Sequence, residues 1–175
     1  CLPVRDYDLA ATMTSGQVFS WRRGGQGWVG VVSGRWVTLR SSANEIVATT
    51  AEPSSDWSWL KSFLQTEVDL AEVLATFPAD DPHLRSAVAA CRGLRLLRQE
   101  PWECLASFIL SSTKQIVQIR QIVRTLGERY GEPALVLPGH EAAYAFPSAQ
   151  RIAALTEAEL RACKMGFRAK YLLSA

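Results

Sequence analysis

Between residues 17 and 50 the apolar positions come in short β-branched and aromatic runs. Trp28-Val29-Gly30-Val31-Val32 and Arg35-Trp36-Val37-Thr38-Leu39 predict two strands, and Ser33-Gly34 between them suits a two-residue hairpin link. Residues 17–21 predict a preceding strand with Phe19 and Trp21 on one face, Gly24-Gly25 the turn after it, and residues 45–49 a fourth strand. The expected result is a small antiparallel meander.

After Pro53 the period lengthens to that of a helix. Asp56 is placed to cap a helix carrying Trp57, Leu60, Phe63 and Leu64, and Asp69 one carrying Leu70, Val73, Leu74 and Phe77. Pro82 fits the first turn of a third helix running towards Cys91, and Gly93 breaks the chain. Pro101 starts a helix expected to bury Leu105, Phe108 and Ile109. A longer one from about Lys114 aligns Ile116, Ile119, Ile122, Val123, Leu126 and Tyr130 before stopping at Gly131. Residues 132–146 predict a loop or short turn. Thr156 and Glu159 form a capping box for a helix that ends near Met165 and Gly166, and another helix starts at Arg168, still running at Ala175, so the chain is expected to continue.

At 175 residues with 48% hydrophobic and 21% charged positions, the chain has material for a packed core. No apolar run approaches the roughly 18 to 20 residues of a membrane span, and no leader pattern precedes residue 20, so an intracellular protein with no membrane partner is expected. Cys1, Cys91, Cys104 and Cys163 show no CxxC spacing, and His83 and His140 have no ligand partner at helical spacing. No metal site is therefore expected. Residues 1–90 hold 7 Lys and Arg against 10 Asp and Glu, while residues 91–175 hold 12 against 7, so the second half is basic and suits a polyanionic partner. Charge and composition shift together near residues 92–98. The expected division is a sheet-plus-helix domain over 1–92 and a helical domain over 93–175.

Three segments have a more specific character. Ser15-Gly16-Gln17-Val18-Phe19-Ser20-Trp21 opens the meander, Gln99-Glu100-Pro101-Trp102-Glu103-Cys104-Leu105-Ala106-Ser107-Phe108-Ile109-Leu110-Ser111-Ser112 leads into a helix junction, and Met165-Gly166-Phe167-Arg168-Ala169-Lys170-Tyr171 leads out of another. Together with Leu94-Arg95-Leu96-Leu97-Arg98-Gln99 and Phe146-Pro147-Ser148, in this order, they resemble the 8-oxoguanine DNA glycosylases of the helix-hairpin-helix superfamily.

The resemblance implies an α+β fold, an N-terminal antiparallel sheet with flanking helices followed by part of an all-helical glycosylase domain. It implies a monomeric enzyme, without cofactor, that flips oxidised guanine out of double-stranded DNA, excises it and nicks the abasic strand. Its place would be the bacterial cytoplasm or nucleoid, or the nucleus of a eukaryote. Gly16 would offer its carbonyl to the protonated N7 of 8-oxoguanine, and Phe108 would line the same pocket. Phe167 matches an aromatic wedge, and Arg168 an arginine that contacts the orphaned cytosine. The DNA-contacting set would also include Ser112, Thr113, Lys114, Gln115 and Gln118. Here Thr113 replaces the family's gap-filling asparagine, and Gln118 an arginine that reads cytosine, so relaxed selection of the opposite base is expected. The family's hairpin, its Schiff-base lysine and its supporting aspartate match nothing in this chain, because Lys61, Lys114, Lys164 and Lys170 fall at other positions. No catalytic residue is therefore expected within residues 1–175, and the chain by itself is expected to be inactive. The alternatives are a glycosylase of the same superfamily acting on alkylated purines and a non-catalytic DNA-binding fragment.

Overall fold

The computed structural model describes residues 1–25, 27–112 and 115–175. Strands β1 (Leu2–Pro3), β2 (Arg22–Gly24), β3 (Gly27–Val32), β4 (Arg35–Ser42) and β5 (Glu45–Thr50) form an antiparallel sheet in the order β1-β5-β4-β3-β2. Ser33 and Gly34 both take positive φ, 50° and 74°, the mirror-image turn whose twist matches the strands it joins. Trp28 lies opposite Leu39 and Leu39 opposite Ala48, while Ile46 pairs with Leu2, so alternation places these side chains on one face. On that face helices α1 (Leu9–Thr14) and α2 (Ser58–Leu64) supply Leu9, Met13, Leu60, Phe63 and Leu64 to a first core. On the opposite face Trp36 is buried, with the His140 ring 4.7 Å away and edge-on.

The strand expected over residues 17–21 does not form; the first hairpin strand begins at Arg22. Val18 and Trp21 enter the first core, but Phe19 packs against a second core built by the later helices. A segment shared between two cores cannot keep the two-residue alternation of a sheet.

Helix boundaries follow side-chain caps. Asp8 caps α1 by accepting from the Ala11 amide at 2.8 Å, Asp69 caps α3 (Leu70–Ala75), and the Asp81 carboxylate receives the His83 and Leu84 amides ahead of α4 (Pro82–Ala90). Asp56 accepts from Ser58 but stands one residue before the cap position, which is Trp57. Neither α3 nor α4 buries any residue. Gly93, at φ 79°, receives the Asp8 amide on its carbonyl at 2.7 Å, and a Cβ there would stand 2.8 Å from that same nitrogen.

Helices α5 (Pro101–Ser111), α6 (Ile116–Tyr130), α7 (Ala149–Ala153), α8 (Glu157–Leu160) and α9 (Arg168–Leu173) enclose the second core, which includes Ala106, Leu110, Ile119, Ile122, Leu126, Leu160 and Leu172. The expected stripe of α5 is out of phase. Ala106, Ser107 and Leu110 are buried and Ile109 is partly so, whereas Leu105 and Phe108 are exposed. Apolar residues surround this helix, so spacing alone does not choose the buried side.

On α6 the expected residues Ile119, Ile122, Val123 and Leu126 are buried, although Ile116 is exposed. Its start is Ile116; Thr113 and Lys114 lie outside the described residues. Gly131 ends the helix at an ordinary φ of −82°. A Cβ there would lie 2.0 Å from the Ala145 carbonyl oxygen, so a close backbone crossing requires the glycine. That crossing belongs to a short ladder, β6 (Pro133–Ala134) with β7 (Ala143–Tyr144), within the stretch expected to be loop. The Thr156–Glu159 capping box forms as expected, and α8 runs into a π turn over Arg161–Met165. The last helix ends at Leu173, with Ser174 as its C-cap.

Candidate nucleic-acid interface

The segment after α1 is held from both sides. The Ser15 hydroxyl donates to the Thr12 carbonyl at 2.8 Å. Two residues on, the Gln17 side chain donates to the Arg95 carbonyl and to the Ser15 hydroxyl, both at 2.8 Å, and accepts from the Leu97 amide at 2.9 Å. Gly16 sits between these anchors at φ 87°, and nothing lies within 4 Å of where a Cβ would project. Farther along, Ser20 neighbours the Glu103 carboxyl on α5; desolvation raises the pKa of that acid and the Ser20 hydroxyl opposes the rise. The Gly16 segment is thereby attached both to residues 95–97, which lead into α5, and to α5 itself. Phe108, on the last turn of α5, is 73% exposed.

The other candidates gather where α5, α6 and α9 meet. Arg168 at the first turn of α9 is only 2% exposed. Its Nε donates to the Ser112 carbonyl at 2.8 Å and a terminal nitrogen donates to the same oxygen, so the guanidinium ties the start of α9 to the end of α5. Phe167 lies under that guanidinium, 4.4 Å from ring centroid to Cζ, and meets the Tyr171 ring edge-on at 6.1 Å. Half of Phe167 remains exposed. At the start of α6 the side-chain Oε1 of Gln118 accepts from the backbone N–H of Gln115 at 3.2 Å, a cap that occupies one end of the side chain expected near the opposite base. Ser112, Gln115, Gln118, Phe167 and Arg168 thus share one helix junction, while Gly16 belongs to the seam between the two cores.

Sequence reasoning missed Gln17 and Arg95 as organising residues. A long polar side chain directly before Val18-Phe19, and an arginine among Leu94, Leu96 and Leu97, were the available signals. A separate concavity of about 810 Å³ lies between β2, β3 and α6 and contains Arg22, Arg23, Arg120 and Arg124, none of them singled out by the sequence. Arg22 pairs with Glu141 at 3.3 Å and Arg124 with Glu128 at 3.5 Å. Among the described residues no group of three or more His, Cys, Asp or Glu side chains could hold a metal ion, and no helix is long and apolar enough to cross a membrane.

This arrangement is that of known DNA glycosylases. The chain superposes on the solved structure of MBOgg1 in complex with a low affinity DNA ligand with a TM-score of 0.88 at 26% identity, covering 97% of this chain and 58% of that one. On the 8-oxoguanine glycosylase/lyase of Clostridium acetobutylicum in its apo-form the TM-score is 0.86 at 28% identity, covering 95% and 58%. The chain belongs to the 8-oxoguanine DNA glycosylase family, whose N-terminal domain matches residues 2–105. The N-glycosylase/DNA lyase OGG1 of Arabidopsis thaliana is 33% identical over 173 residues, which cover 94% of this chain and 46% of that protein. The chain therefore spans about half the length of the curated relative it matches.

Proposed function

We propose that the protein to which this chain belongs excises 8-oxoguanine from double-stranded DNA and cleaves the abasic strand through a Schiff base formed by a lysine outside residues 1–175. The observation that carries the reading is Gly16. It is held at positive φ by bonded neighbours, it has open space where a Cβ would be, and by resemblance it matches the glycine that presents a carbonyl to the base. An N–H at N7 distinguishes 8-oxoguanine from guanine, and a fixed carbonyl rewards only the base that can donate to it.

Phe167 is the proposed wedge, since a half-exposed ring backed by Tyr171 and a guanidinium can enter a base step without collapsing into the core. Phe108 offers an exposed ring for the extruded base, and Ser112, Gln115 and Gln118 are proposed to face the DNA near the vacated stack. Thr113 and Lys114 complete that set by resemblance. Residues 1–92 and 93–175 are proposed as a sheet-plus-helix domain and part of the glycosylase domain. The protein is proposed to act as a monomer inside the cell, where its substrate is. The Clostridium acetobutylicum neighbour is an 8-oxoguanine glycosylase/lyase and the matching family is that of the 8-oxoguanine DNA glycosylases, which favours this lesion over alkylated purines.

The test is single-turnover base release with borohydride trapping. The full-length protein should release 8-oxoguanine and form a trapped adduct, and residues 1–175 alone should do neither. An adduct formed by residues 1–175 would overturn the assignment of the lysine; release of alkylated purines in preference to 8-oxoguanine would overturn the substrate.

Gly16→Ala supplies a sharper probe in the full-length protein. A Cβ would enter the open space next to the carbonyl, and positive φ costs an alanine about 1 to 2 kcal/mol. Excision should fall by about tenfold or more, the equivalent of one hydrogen bond to the base, while affinity for undamaged duplex is kept. Equal excision by Gly16→Ala would reduce the glycine to a turn residue.

A further inference from the structure

The geometry points to Gln17 as the residue that positions the Gly16 carbonyl and so sets discrimination between 8-oxoguanine and guanine. The inference rests on the proposed 8-oxoguanine reading and adds a residue to it.

Residues 94–100 form neither helix nor strand, so their peptide groups must find other partners. The amide of Arg95 donates to the Thr12 hydroxyl at 3.1 Å, and that of Arg98 to the Phe63 carbonyl at 2.9 Å. Between them, the Arg95 carbonyl and the Leu97 amide are both taken by one side chain. The Gln17 carboxamide donates to the first and accepts from the second, as the peptide of an adjacent strand would. Its orientation is unambiguous, because a backbone N–H faces its oxygen and a backbone carbonyl its nitrogen.

Gly16 and Gln17 share the peptide unit whose carbonyl is proposed to meet the base. A carboxamide locked at two points fixes the Gln17 backbone, and the additional bond from its nitrogen to the Ser15 hydroxyl links the two residues that flank Gly16. Glycine by itself would let that peptide plane rotate between several conformations at little cost. The clamp removes this freedom, and residues 95–97 on which it closes run directly into the helix that carries Phe108. The carbonyl and the exposed ring are thus held to one frame.

Selectivity should therefore depend on both halves of the carboxamide. In the full-length protein, Gln17→Leu keeps the bulk and loses both bonds, whereas Gln17→Glu keeps the acceptor for Leu97 and loses the donor to Arg95 whenever the carboxyl is ionised. The measurement is the ratio of duplex affinities for an excision-resistant 2′-fluoro 8-oxoguanosine and for guanosine at the same site, taken across a pH series.

For the unsubstituted protein the ratio should stay level with pH. In Gln17→Leu it should fall by about tenfold through loss of lesion affinity, with guanine-duplex affinity unchanged. In Gln17→Glu it should be low at high pH and recover as pH falls, because the protonated carboxyl again donates to Arg95. A purely structural role would lower both affinities together. That outcome, or an unchanged ratio in Gln17→Leu, or a pH-independent ratio in Gln17→Glu, would overturn the assignment. If the unsubstituted protein itself shows no preference for the lesion, the 8-oxoguanine reading fails first and the role of Gln17 falls with it.

Discussion

Replacing Arg95 by alanine will destabilise the fold by about 3 to 5 kcal/mol, a large share of the roughly 5 to 15 kcal/mol available to a domain. The side chain is 5% exposed. One terminal nitrogen donates to the Val68 carbonyl at 2.8 Å, and the other to the carbonyls of Arg5 at 2.7 Å and Asp6 at 3.1 Å. These carbonyls come from two distant stretches of chain, joined by one planar cation to the segment that Gln17 clamps. The guanidinium also lies 5.3 Å from the ring centroid of Tyr7, whose hydroxyl donates to the Leu64 carbonyl at 2.8 Å and whose pKa is raised chiefly by burial. Alanine would leave three acceptors facing a void. Lysine restores the charge but has one nitrogen at the end of a flexible stem, so it should recover only part of the loss. Urea unfolding of the three proteins gives the comparison. A loss below about 1 kcal/mol for Arg95→Ala would mean that water replaces the guanidinium without penalty.

Arg168→Ala will lower stability and opposite-base selection together. Two of its nitrogens meet the Ser112 carbonyl at the end of α5, and hydrogen bonds from a charged donor are worth about 1.5 to 3 kcal/mol. The guanidinium is buried at that carbonyl, so the Ser112 bonds fix it beside Phe167 where α5 and α9 meet. With Thr113 and Gln118 where the family has an asparagine and an arginine, Arg168 is the remaining cytosine reader expected from resemblance. Preference for cytosine over the other three bases should already be relaxed by one to several factors of ten, at about 1 to 3 kcal/mol for each missing bidentate contact. Arg168→Ala should remove most of what remains. Single-turnover excision by the full-length protein from four duplexes that differ only in the opposing base measures this. A strong cytosine preference that survives Arg168→Ala would assign the reading to other residues.

Local chemistry made much of the fold legible. Ser33-Gly34, Asp69, Pro82 and Thr156-Glu159 each mark a turn or a helix end, and each acts as expected. What spacing could not convey was tertiary. Residues 17–21 alternate like a strand, yet Val18 and Phe19 are required by different cores. Residues 101–111 are apolar on more than one side, and only packing against α6 and α9 selects Ala106 and Leu110 over Leu105 and Phe108. Site residues were reached through resemblance. The residues around them that join distant segments, Gln17 and Arg95, act on peptide groups 27 to 90 positions away, which no local pattern reports.

The lack of any buried residue in α3 and α4 has a consequence for how the molecule opens. Helices of six and nine residues are too short to persist without packing, so each leans on its Asp cap. Amide protons of Leu70–Ala75 and His83–Ala90 should exchange with solvent through small, frequent openings, whereas those of β3, β4 and β5 should wait for rupture of the sheet. The chain then has two tiers of protection, and the weaker one lies directly before the segment on which Arg95 and Gln17 converge.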